Sequence, residues 1–458
     1  MTTPTRDIDE GAPRIRTKRD LIERLASGSK PPKDWRVGTE HEKIGFIEKT
    51  LKPLPYDGPI SIRALLDSMS TQFGWQPIME GEYIIGGKKD GASLSLEPGG
   101  QFELSGAPLE TIHETCSEIS QHLRETRAIA EPMGAEFLGL GFSPIWSLEE
   151  TPMMPKGRYG IMRAYMAKVG RLGREMMFRS CTVQSNLDFG SEADMVKKMR
   201  VSLALQPIAT ALFANSPFAE NRTNGFLSYR SHVWTDTDPD RSGTLPFAFE
   251  EGFGFERYVD YALDVPMYFV RRGGKYVDCS GLSFRDFMAG RLPVLPGELP
   301  AMDDFDDHIS TIFPEVRLKT FLEMRGADAG PQARLCALSA FWAGLLYDGK
   351  ALDGAWELVK SWSAAEREAM RNAVPAVGLR TPIRNTNLQA IAKDVVALAR
   401  GGLKRRKKLN ATGDDETIFL RELEEIADSG LSPADRLLAN YHGAWKRDLR
   451  FAFQEVRF

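Results

Sequence analysis

Polar and apolar side chains alternate most regularly between positions 93 and 108. The apolar positions are Leu94 and Leu96 in the first arm, and Phe102 and Leu104 in the second. The other face carries the polar positions Ser93, Ser95, Glu97, Gln101, Glu103 and Ser105. Between the arms, Pro-Gly-Gly at 98–100 permits a tight reversal, because glycine adopts positive φ at little cost. The pattern predicts an antiparallel hairpin with one face on a core and an acidic face turned to a cavity.

Three other stretches repeat this period of two with polar side chains on one face. They are residues 37–48 with Glu40 and Glu42, residues 176–189 with Gln184, and residues 317–331 with Glu323 and Arg325. For one isolated hairpin, a solvated strand face would be as good an explanation as a ligand site. Because four separated stretches show the same pattern, a ligand site is the better explanation than a solvated strand face.

Apolar positions recur at intervals of three and four in the segments that we predict to be helical. These segments are 17–26, 62–73, 109–130, 192–214, 331–347, 352–360, 364–374, 387–399, 416–428 and 433–447. Strands followed by helices indicate an α+β fold, with an antiparallel sheet packed by helices. We predict one catalytic domain over 1–458, with a loose tail at 1–13 and a helical buttress at 331–458, because no Pro/Gly/Ser linker precedes the buttress.

Composition and charge argue against several classes of protein. The formal net charge of −4 implies no general attraction to nucleic acid or a membrane. We interpret the basic run at 404–408 as a solvated loop balanced by the acidic residues at 414–416, rather than as a nucleic-acid patch. The apolar stretch at 337–346 is far shorter than the ~20 residues of a membrane span. Four scattered cysteines and no apolar leader predict a cytoplasmic protein.

The polar strand faces together offer six oxygen ligands of the kind that Mg²⁺ or Mn²⁺ prefers. They are Glu40, Glu42, Glu97, Glu103, Gln184 and Glu323. Such ions mostly hold and neutralise phosphate oxygens, so Arg325 beside Glu323 is a candidate for charge stabilisation on a transferring phosphoryl group. An internal salt bridge between Glu323 and Arg325 is the alternative.

Two loops carry candidate clamps for a substrate carboxylate. One loop, at 144–160, contains Lys156 and Arg158, and the other, at 222–243, contains Arg230. Ordinary surface loops of the same composition remain possible for both. A site with ATP, metal ions and a carboxylate clamp points to acyl-phosphate chemistry, in which a carboxylate attacks the γ-phosphate and an amine then displaces phosphate.

Several blocks between residues 37 and 336 resemble one known family, in the same order. The blocks are VGTEHEKIGF, LEPGGQFELSGAPLETIHETC, RSCTVQSNLDF, SYRSHVWTDTDPDR, DVPMYFVRR and LEMRGADAG. They resemble the glutamate–cysteine ligases of the plant and proteobacterial type. The resemblance implies the glutamine-synthetase-like catalytic fold, with a sheet curved around the active site. It also implies ATP- and Mg²⁺-dependent joining of the glutamate γ-carboxyl to the cysteine amine, the first step of glutathione synthesis.

The resemblance also implies roles for single residues. The six oxygen ligands resemble the metal-binding face of the family, and Arg325 stands where a γ-phosphate contact is expected. Arg158 and Arg230 resemble the arginines that hold glutamate, and Tyr268 resembles a residue of the cysteine pocket. Cys116 and Cys336 resemble a regulatory disulfide of the plant enzymes, with two buried thiols as the alternative. The second plant bridge, near Cys279, looks absent, because no other cysteine lies between Cys279 and Cys336.

Other functions remain open at this point. A ligase of the same fold could use another amine, and a metal-dependent phosphohydrolase would share the acidic face but need no arginine clamp. A non-catalytic binding protein fits least, because structure alone does not require six ligand-type residues on separate strands. We expect glutamate, cysteine and ATP as partners, no nucleic acid or membrane, and a monomer or weak homodimer.

Overall fold

The computed structural model describes residues 14–458. The predicted loose tail at 1–13 lies outside the described residues. Within them, no helix combines the length and apolar character needed to cross a membrane.

The helices confirm the predicted segments with two corrections, and they add several short ones. They are α1 Lys18–Ala26, α2 Ile62–Phe73, α3 Ile112–Met133, α4 Gly157–Val169, α5 Gly173–Arg179, α6 Glu192–Phe213, α7 Tyr229–Val233, α8 Phe255–Asp264, α9 Phe284–Met288, α10 Met302–Ser310, α11 Gln332–Leu346, α12 Gly349–Val359, α13 Ala364–Val377, α14 Leu388–Arg406, α15 Arg421–Ser429, α16 Pro433–His442 and α17 Ala452–Glu455. The segment predicted from 416 begins as the 3₁₀ turn Glu416–Leu420, and the segment predicted to reach 447 ends at His442. Thr111 is the N-cap of α3 and forms a capping box with Glu114. The Thr111 hydroxyl accepts a hydrogen bond from the Glu114 backbone amide, and the Glu114 carboxylate accepts one from the Thr111 backbone amide.

A nine-stranded sheet forms the centre of the fold. Its strands are β1 Val37–Ile47, β2 Gln76–Glu80, β3 Tyr83–Lys89, β4 Ala92–Leu96, β5 Phe102–Ser105, β6 Ala135–Leu138, β7 Thr182–Leu187, β8 Val316–Leu318 and β9 Leu322–Asp328. Their order is β8-β9-β7-β1-β5-β4-β3-β2, and β6 pairs with the far end of β1. Every pairing is antiparallel, as predicted. Short two-stranded ribbons join Phe218–Ala219 to Arg222–Thr223, Ser242–Gly243 to Phe313–Pro314, Phe269–Arg272 to Lys275–Asp278, and Pro382–Ile383 to Thr386–Asn387.

The alternation along β1 separates a cavity face from a core face. Thr39 and His41 are buried on the core face, which α3 and α11 cover. There the Thr39 and Ser339 hydroxyl oxygens lie 2.5 Å apart, which ties α11 to the back of the sheet. Glu40 and Glu42 fall on the opposite face because side chains alternate along a strand.

Helix α14 runs longer than the sequence predicts, and this corrects one interpretation. We predicted that the helix from 387 ends at 399, but α14 continues to Arg406. Gly402 permits this because it packs so closely on α11 that a Cβ there would lie 1.8 Å from the Gly344 carbonyl oxygen. The basic run therefore begins in a helix rather than a loop, and Arg405 and Arg406 pair with Asp348 and Glu416 at 2.7 and 2.8 Å.

Candidate active site

An open cavity lies in front of the sheet, on the face opposite α3 and α11. The predicted hairpin of β4 and β5 forms part of its floor, and α4, α5 and α7 form its walls. Its lining combines carboxylates, arginines, aromatic rings and methionines. The residues that carry charge or an amide are Glu42, Glu97, Gln101, Glu103, Arg158, Gln184, Arg230, Arg317 and Arg325.

Three of these carboxylates form one group, which we call the carboxylate triad: Glu42, Glu97 and Glu103. One oxygen from each lies within 4.8 Å of the others. Strand pairing brings them together, since Glu42 stands directly opposite Glu103 between β1 and β5, and Glu97 follows β4. Burial raises the pKa of Glu42 well above its usual range, and the charges of Glu97 and Glu103 add to that effect. Burial likewise raises the pKa of Glu103.

The triad has the chemistry of a divalent-cation site. Oxygen Oε1 of Glu97 is buried and has no hydrogen-bond partner among the described residues. Among residues 14–458, two hydrogen bonds from outside the triad reach its carboxylates: the Thr182 amide donates to Glu42 at 2.9 Å, and the Ser105 hydroxyl donates to Glu103 at 2.6 Å. A cation bound between carboxylates removes both the repulsion and the unsatisfied oxygen. The residues therefore fit Mg²⁺ or Mn²⁺.

A second group, which we call the cationic cluster, consists of Glu323 with Arg317, Lys319 and Arg325. Arg317 donates to both oxygens of Glu323, at 2.7 and 2.9 Å, and Arg325 also pairs with it. The Lys319 amine lies 3.5 Å away. Burial by itself would raise the pKa of Glu323, but the three cations hold it well below its usual range. The predicted alternative of an internal salt bridge between Glu323 and Arg325 is thus what the structure contains.

Glu40 and Gln184 complete the six predicted ligands, and both lie nearer the cationic cluster. Gln184 accepts a hydrogen bond from Arg325 at 2.8 Å, and Glu40 accepts one from Asn186 at 2.6 Å. Glu40 is 1 % exposed and does not line the cavity. The six residues therefore share one face of the sheet, but they divide into two groups of different electrostatic character.

The two predicted clamp arginines both line the cavity. Arg158 lies in the first turn of α4, and Arg230 lies in α7. Both are buried, and within the described part of the chain the Nε of each has no hydrogen-bond partner. Arg230 is anchored at its far end, where it donates to the Arg325 carbonyl at 2.9 Å. Free donors on buried guanidinium groups suit a carboxylate ligand.

Tyr268 lies away from the cavity wall. Its ring packs against the Arg241 guanidinium at 3.8 Å and against Tyr165 at 5.2 Å between ring centroids. It does not line the cavity, and its buried hydroxyl has no hydrogen-bond partner in the part of the chain that the structure describes. A contact between Tyr268 and the amine substrate therefore stays a prediction.

The sequence analysis missed Arg317 and Asp328, and it placed Lys156 in a candidate clamp loop without the contacts that the structure gives it. Arg317 stands opposite Glu323 across the β8–β9 hairpin, so recognition of that hairpin would have revealed the pair. Lys156 donates to the Ser95 hydroxyl and the Leu96 carbonyl, each at 2.8 Å, and burial lowers its pKa to about 7. No local pattern distinguishes Asp328, whose importance lies entirely in its distant partners.

Asp328 organises the segment that carries Arg230. It accepts hydrogen bonds from the Ser216 and Ser228 hydroxyls at 2.7 and 2.8 Å, and from the Asn215 amide at 2.8 Å. Ser228 is the N-cap of α7, and the Ser216 hydroxyl accepts from the Arg230 amide at 3.1 Å. One buried carboxylate thus holds both serines whose hydroxyls accept hydrogen bonds from the backbone of α7, the helix that carries Arg230.

Cys116 and Cys336 are joined as a disulfide between α3 and α11. Cys181 and Cys279 are buried free thiols. The bridge lies behind the sheet, on the helix that contacts β1 and β7.

The large antiparallel sheet thus has helices behind it and a cavity of carboxylates and arginines in front. The family model described as "Glutamate-cysteine ligase family 2" matches residues 36–455, and the chain belongs to that family. It is 58 % identical over 442 residues to the chloroplastic glutamate–cysteine ligase of Brassica juncea, covering 96 % of this chain and 84 % of that protein. The chloroplastic enzyme of Arabidopsis thaliana is 57 % identical, with 96 % and 83 % covered.

Among solved structures, a glutamate–cysteine ligase from Francisella tularensis in complex with AMP has the same fold. The TM-score is 0.60 at 10 % sequence identity, with 92 % of this chain and 87 % of that chain covered. The predicted class and family are therefore confirmed.

The predicted cytoplasmic location is wrong. The relatives from Brassica juncea, Solanum lycopersicum, Nicotiana tabacum and Arabidopsis thaliana are all named as chloroplastic. Scattered cysteines and a polar N-terminal segment are compatible with more than one compartment, so composition was too weak a basis for that prediction.

Proposed function

We propose that the cavity carries out the ligase reaction, with its residues in the roles given below. The reaction is the ATP-dependent joining of the glutamate γ-carboxyl to the cysteine amine, the first step of glutathione synthesis. Family membership over residues 36–455 and 56–58 % identity to curated glutamate–cysteine ligases carry this conclusion. The site adds the chemistry: oxygen ligands for a metal ion and free arginine donors for a carboxylate.

The carboxylate triad and the cationic cluster would hold Mg²⁺, with Mn²⁺ as a substitute. Such an ion, when bound, neutralises phosphate oxygens during phosphoryl transfer. Arg325 contributes a fixed positive charge for the γ-phosphate, since it lines the cavity beside Gln184. The chain thus supplies positioning and electrostatic stabilisation.

Arg158 and Arg230 bind the glutamate carboxylate in this proposal. They come from different helices and line one cavity with the triad. The γ-carboxylate oxygen attacks the γ-phosphorus of ATP and ADP leaves, after which the cysteine amine attacks the acyl carbon and phosphate leaves.

We also propose that the chain acts as one catalytic unit and as a monomer or weak homodimer. Support for a single unit comes from α11, which packs on β1, β7 and α14 at once.

Phosphate release from ATP with Mg²⁺ and glutamate, measured with and without cysteine, tests the reaction. We expect release that depends on cysteine, with γ-glutamylcysteine as the product. Release without any amine would indicate a phosphohydrolase. Release with a different amine would keep the mechanism and change the acceptor.

Replacing Asp328 by Asn should weaken glutamate binding without touching the cavity wall. Loss of the charge weakens three hydrogen bonds, each worth about 1.5–3 kcal/mol with a charged acceptor. We expect a glutamate KM about tenfold higher, a kcat within about threefold, and a lower free energy of unfolding. Ser228→Ala, which removes one of the bonds, should raise KM less. Equal losses in kcat and in affinity for ATP would indicate a general structural role instead.

The disulfide between Cys116 and Cys336 should modulate activity, because it tethers α11 behind the sheet. Oxidised protein should contain two titratable thiols when denatured, and reduced protein four. Reduction should lower the free energy of unfolding by about 2–5 kcal/mol and change kcat. Cys336→Ser should abolish the redox response, whereas Cys279→Ser should retain it. Four free thiols after oxidation, with activity that still varies, would refute the proposal.

A further inference from the structure

A second cavity opens behind the sheet, on the face opposite the candidate active site, and we call it the back cavity. It lies between β1, β6, α3 and residues 457–458. Its volume of about 380 Å³ falls within the range of roughly 300–1,000 Å³ that small-molecule sites occupy. Among residues 14–458, none lines both this cavity and the candidate active site. The back cavity is therefore a separate space with its own chemistry.

Lys43 lines the back cavity and is 0 % exposed, so it belongs to the inner end of the cavity rather than to its mouth. The alternation along β1 places it on the face that α3 covers, opposite to the face of Glu42. The Lys43 amine lies 3.5 Å from His41 Nδ1 and 5.4 Å from the centroid of the Phe102 ring. Its near neighbours are therefore uncharged rings.

Among the described residues, no carboxylate forms an ion pair with the Lys43 amine. Lys198, which is also 0 % exposed, pairs with Asp194 at 2.9 Å. A buried ammonium group without a counter-charge is costly, because it has lost its hydration and gained nothing in return. An anion that enters the back cavity would supply the missing counter-charge.

The inner walls of the back cavity are mostly apolar. Thr126 adds one buried hydroxyl, 3.4 Å from His122 Nε2. Ala130 of α3 faces Ala135 and Phe137 of β6 across the remaining inner wall, and all three are buried. This combination suits a ligand with one anionic group for Lys43 and an apolar body.

The mouth of the back cavity limits the charge of that ligand. Glu48, Glu131 and Arg127 line the cavity and are exposed, and none of the three forms an ion pair within the described part of the chain. Arg457 is already paired with Glu136 at 3.2 Å. Two free carboxylates against one free guanidinium disfavour a ligand with several negative charges, such as a polyphosphate.

We propose that the back cavity binds a small monocarboxylate with an apolar body. The carboxylate accepts from the Lys43 amine, and the apolar body packs between α3 and β6. A carboxylate is the favoured anionic group, because it carries a single charge and forms charge-assisted hydrogen bonds with an ammonium group. This site does not depend on the proposed reaction, which takes place on the other face of the sheet.

Isothermal titration calorimetry of the full chain with phenylacetate tests the proposal, with saturating glutamate present to occupy the candidate active site. Phenylacetamide is the matched ligand control, because it keeps the ring and the shape but lacks the charge. We expect one phenylacetate per chain, with a Kd about tenfold or more below that of phenylacetamide.

Three variants locate the site. Lys43→Met removes the ammonium group and keeps the length of the side chain, so it should weaken phenylacetate binding about tenfold or more and leave phenylacetamide unchanged. Ala130→Leu fills the cavity without changing its charge and should abolish binding of both ligands. Lys52→Met is the control, since Lys52 is exposed and does not line the cavity, and it should change neither. Circular dichroism checks that each variant is folded, and Ala130→Leu still decides the location if Lys43→Met does not fold.

The other outcomes each overturn the proposal. Phenylacetate that binds Lys43→Met as tightly as the unaltered chain would remove Lys43 from the site, and unchanged binding in Ala130→Leu would place the ligand elsewhere. Inorganic phosphate that binds as tightly as phenylacetate would indicate a general anion site. No binding of phenylacetate to the unaltered chain would refute a carboxylate site in this cavity. Cysteine-dependent phosphate release would still decide the proposed function separately.

Discussion

Glu103→Gln abolishes ligation but leaves the protein folded. Glu103 belongs to the carboxylate triad, and an amide lacks the charge with which a carboxylate binds a divalent cation. A loss of several kcal/mol of electrostatic stabilisation in the transition state lowers kcat about a thousandfold. The free energy of unfolding should stay the same or rise, because a buried carboxylate that repels Glu42 and Glu97 becomes neutral. Cysteine-dependent phosphate release and urea unfolding measure the two effects.

The control for this variant is Glu125→Gln. Glu125 is equally buried, but it accepts from Trp75 and Lys89 outside the cavity, so its replacement should affect stability more than kcat. A Glu103→Gln protein with full activity would remove this residue from the site. If Glu103→Gln is inactive because it does not fold, Glu103→Asp distinguishes that case from a catalytic effect. The aspartate keeps the charge and should restore part of the turnover.

Arg230→Ala raises the glutamate KM by about 30- to 100-fold and changes kcat by only a few fold. A charged hydrogen bond to a carboxylate that loses its partner costs about 2–3 kcal/mol, and each 1.4 kcal/mol is tenfold in affinity. Arg230 lines the cavity, and its Nε, which has no hydrogen-bond partner among the described residues, is the donor in question. Initial rates with glutamate varied at saturating ATP and cysteine measure KM and kcat separately.

Arg222→Ala provides the matched control, because it removes an arginine from the same loop. Arg222 is mostly exposed and makes one ion pair, to Glu220 at 3.5 Å, so we expect an unchanged KM. If Arg230→Ala leaves the glutamate KM unchanged as well, Arg230 belongs to the structure of its loop. In that case its bond to the Arg325 carbonyl would be its main contribution.

The chemistry of the site follows from how charge is balanced within the sheet. Antiparallel pairing places Glu42 opposite Glu103 in adjacent strands, which concentrates negative charge at one point. Two strands away, pairing places Arg317 opposite Glu323 and compensates charge at another point. One sheet therefore presents an anionic region and a cationic region to the same cavity, as a site for metal ions and phosphates requires.

Sequence alone determined which side chains share a face. The period of two is a property of the local backbone, so Glu40 and Glu42, or Glu97 and Glu103, could be placed together without a structure. Long periodic helices were predictable for the same reason. Even there, local rules erred where distant contacts intervene, as at Gly402, whose packing on α11 lets α14 continue past the predicted end.

Only the tertiary structure decided which faces meet. The order β8-β9-β7-β1-β5-β4 depends on pairing between strands far apart in the chain, and spacing along the sequence carries no record of it. That order separates Glu323 from the triad, gives it Arg317 as a partner, and buries Asp328 under α7 more than 90 residues away along the chain. Which charges compensate each other depends on neighbours in space. The sequence could therefore name the candidate ligands but could not divide them into the carboxylate triad and the cationic cluster.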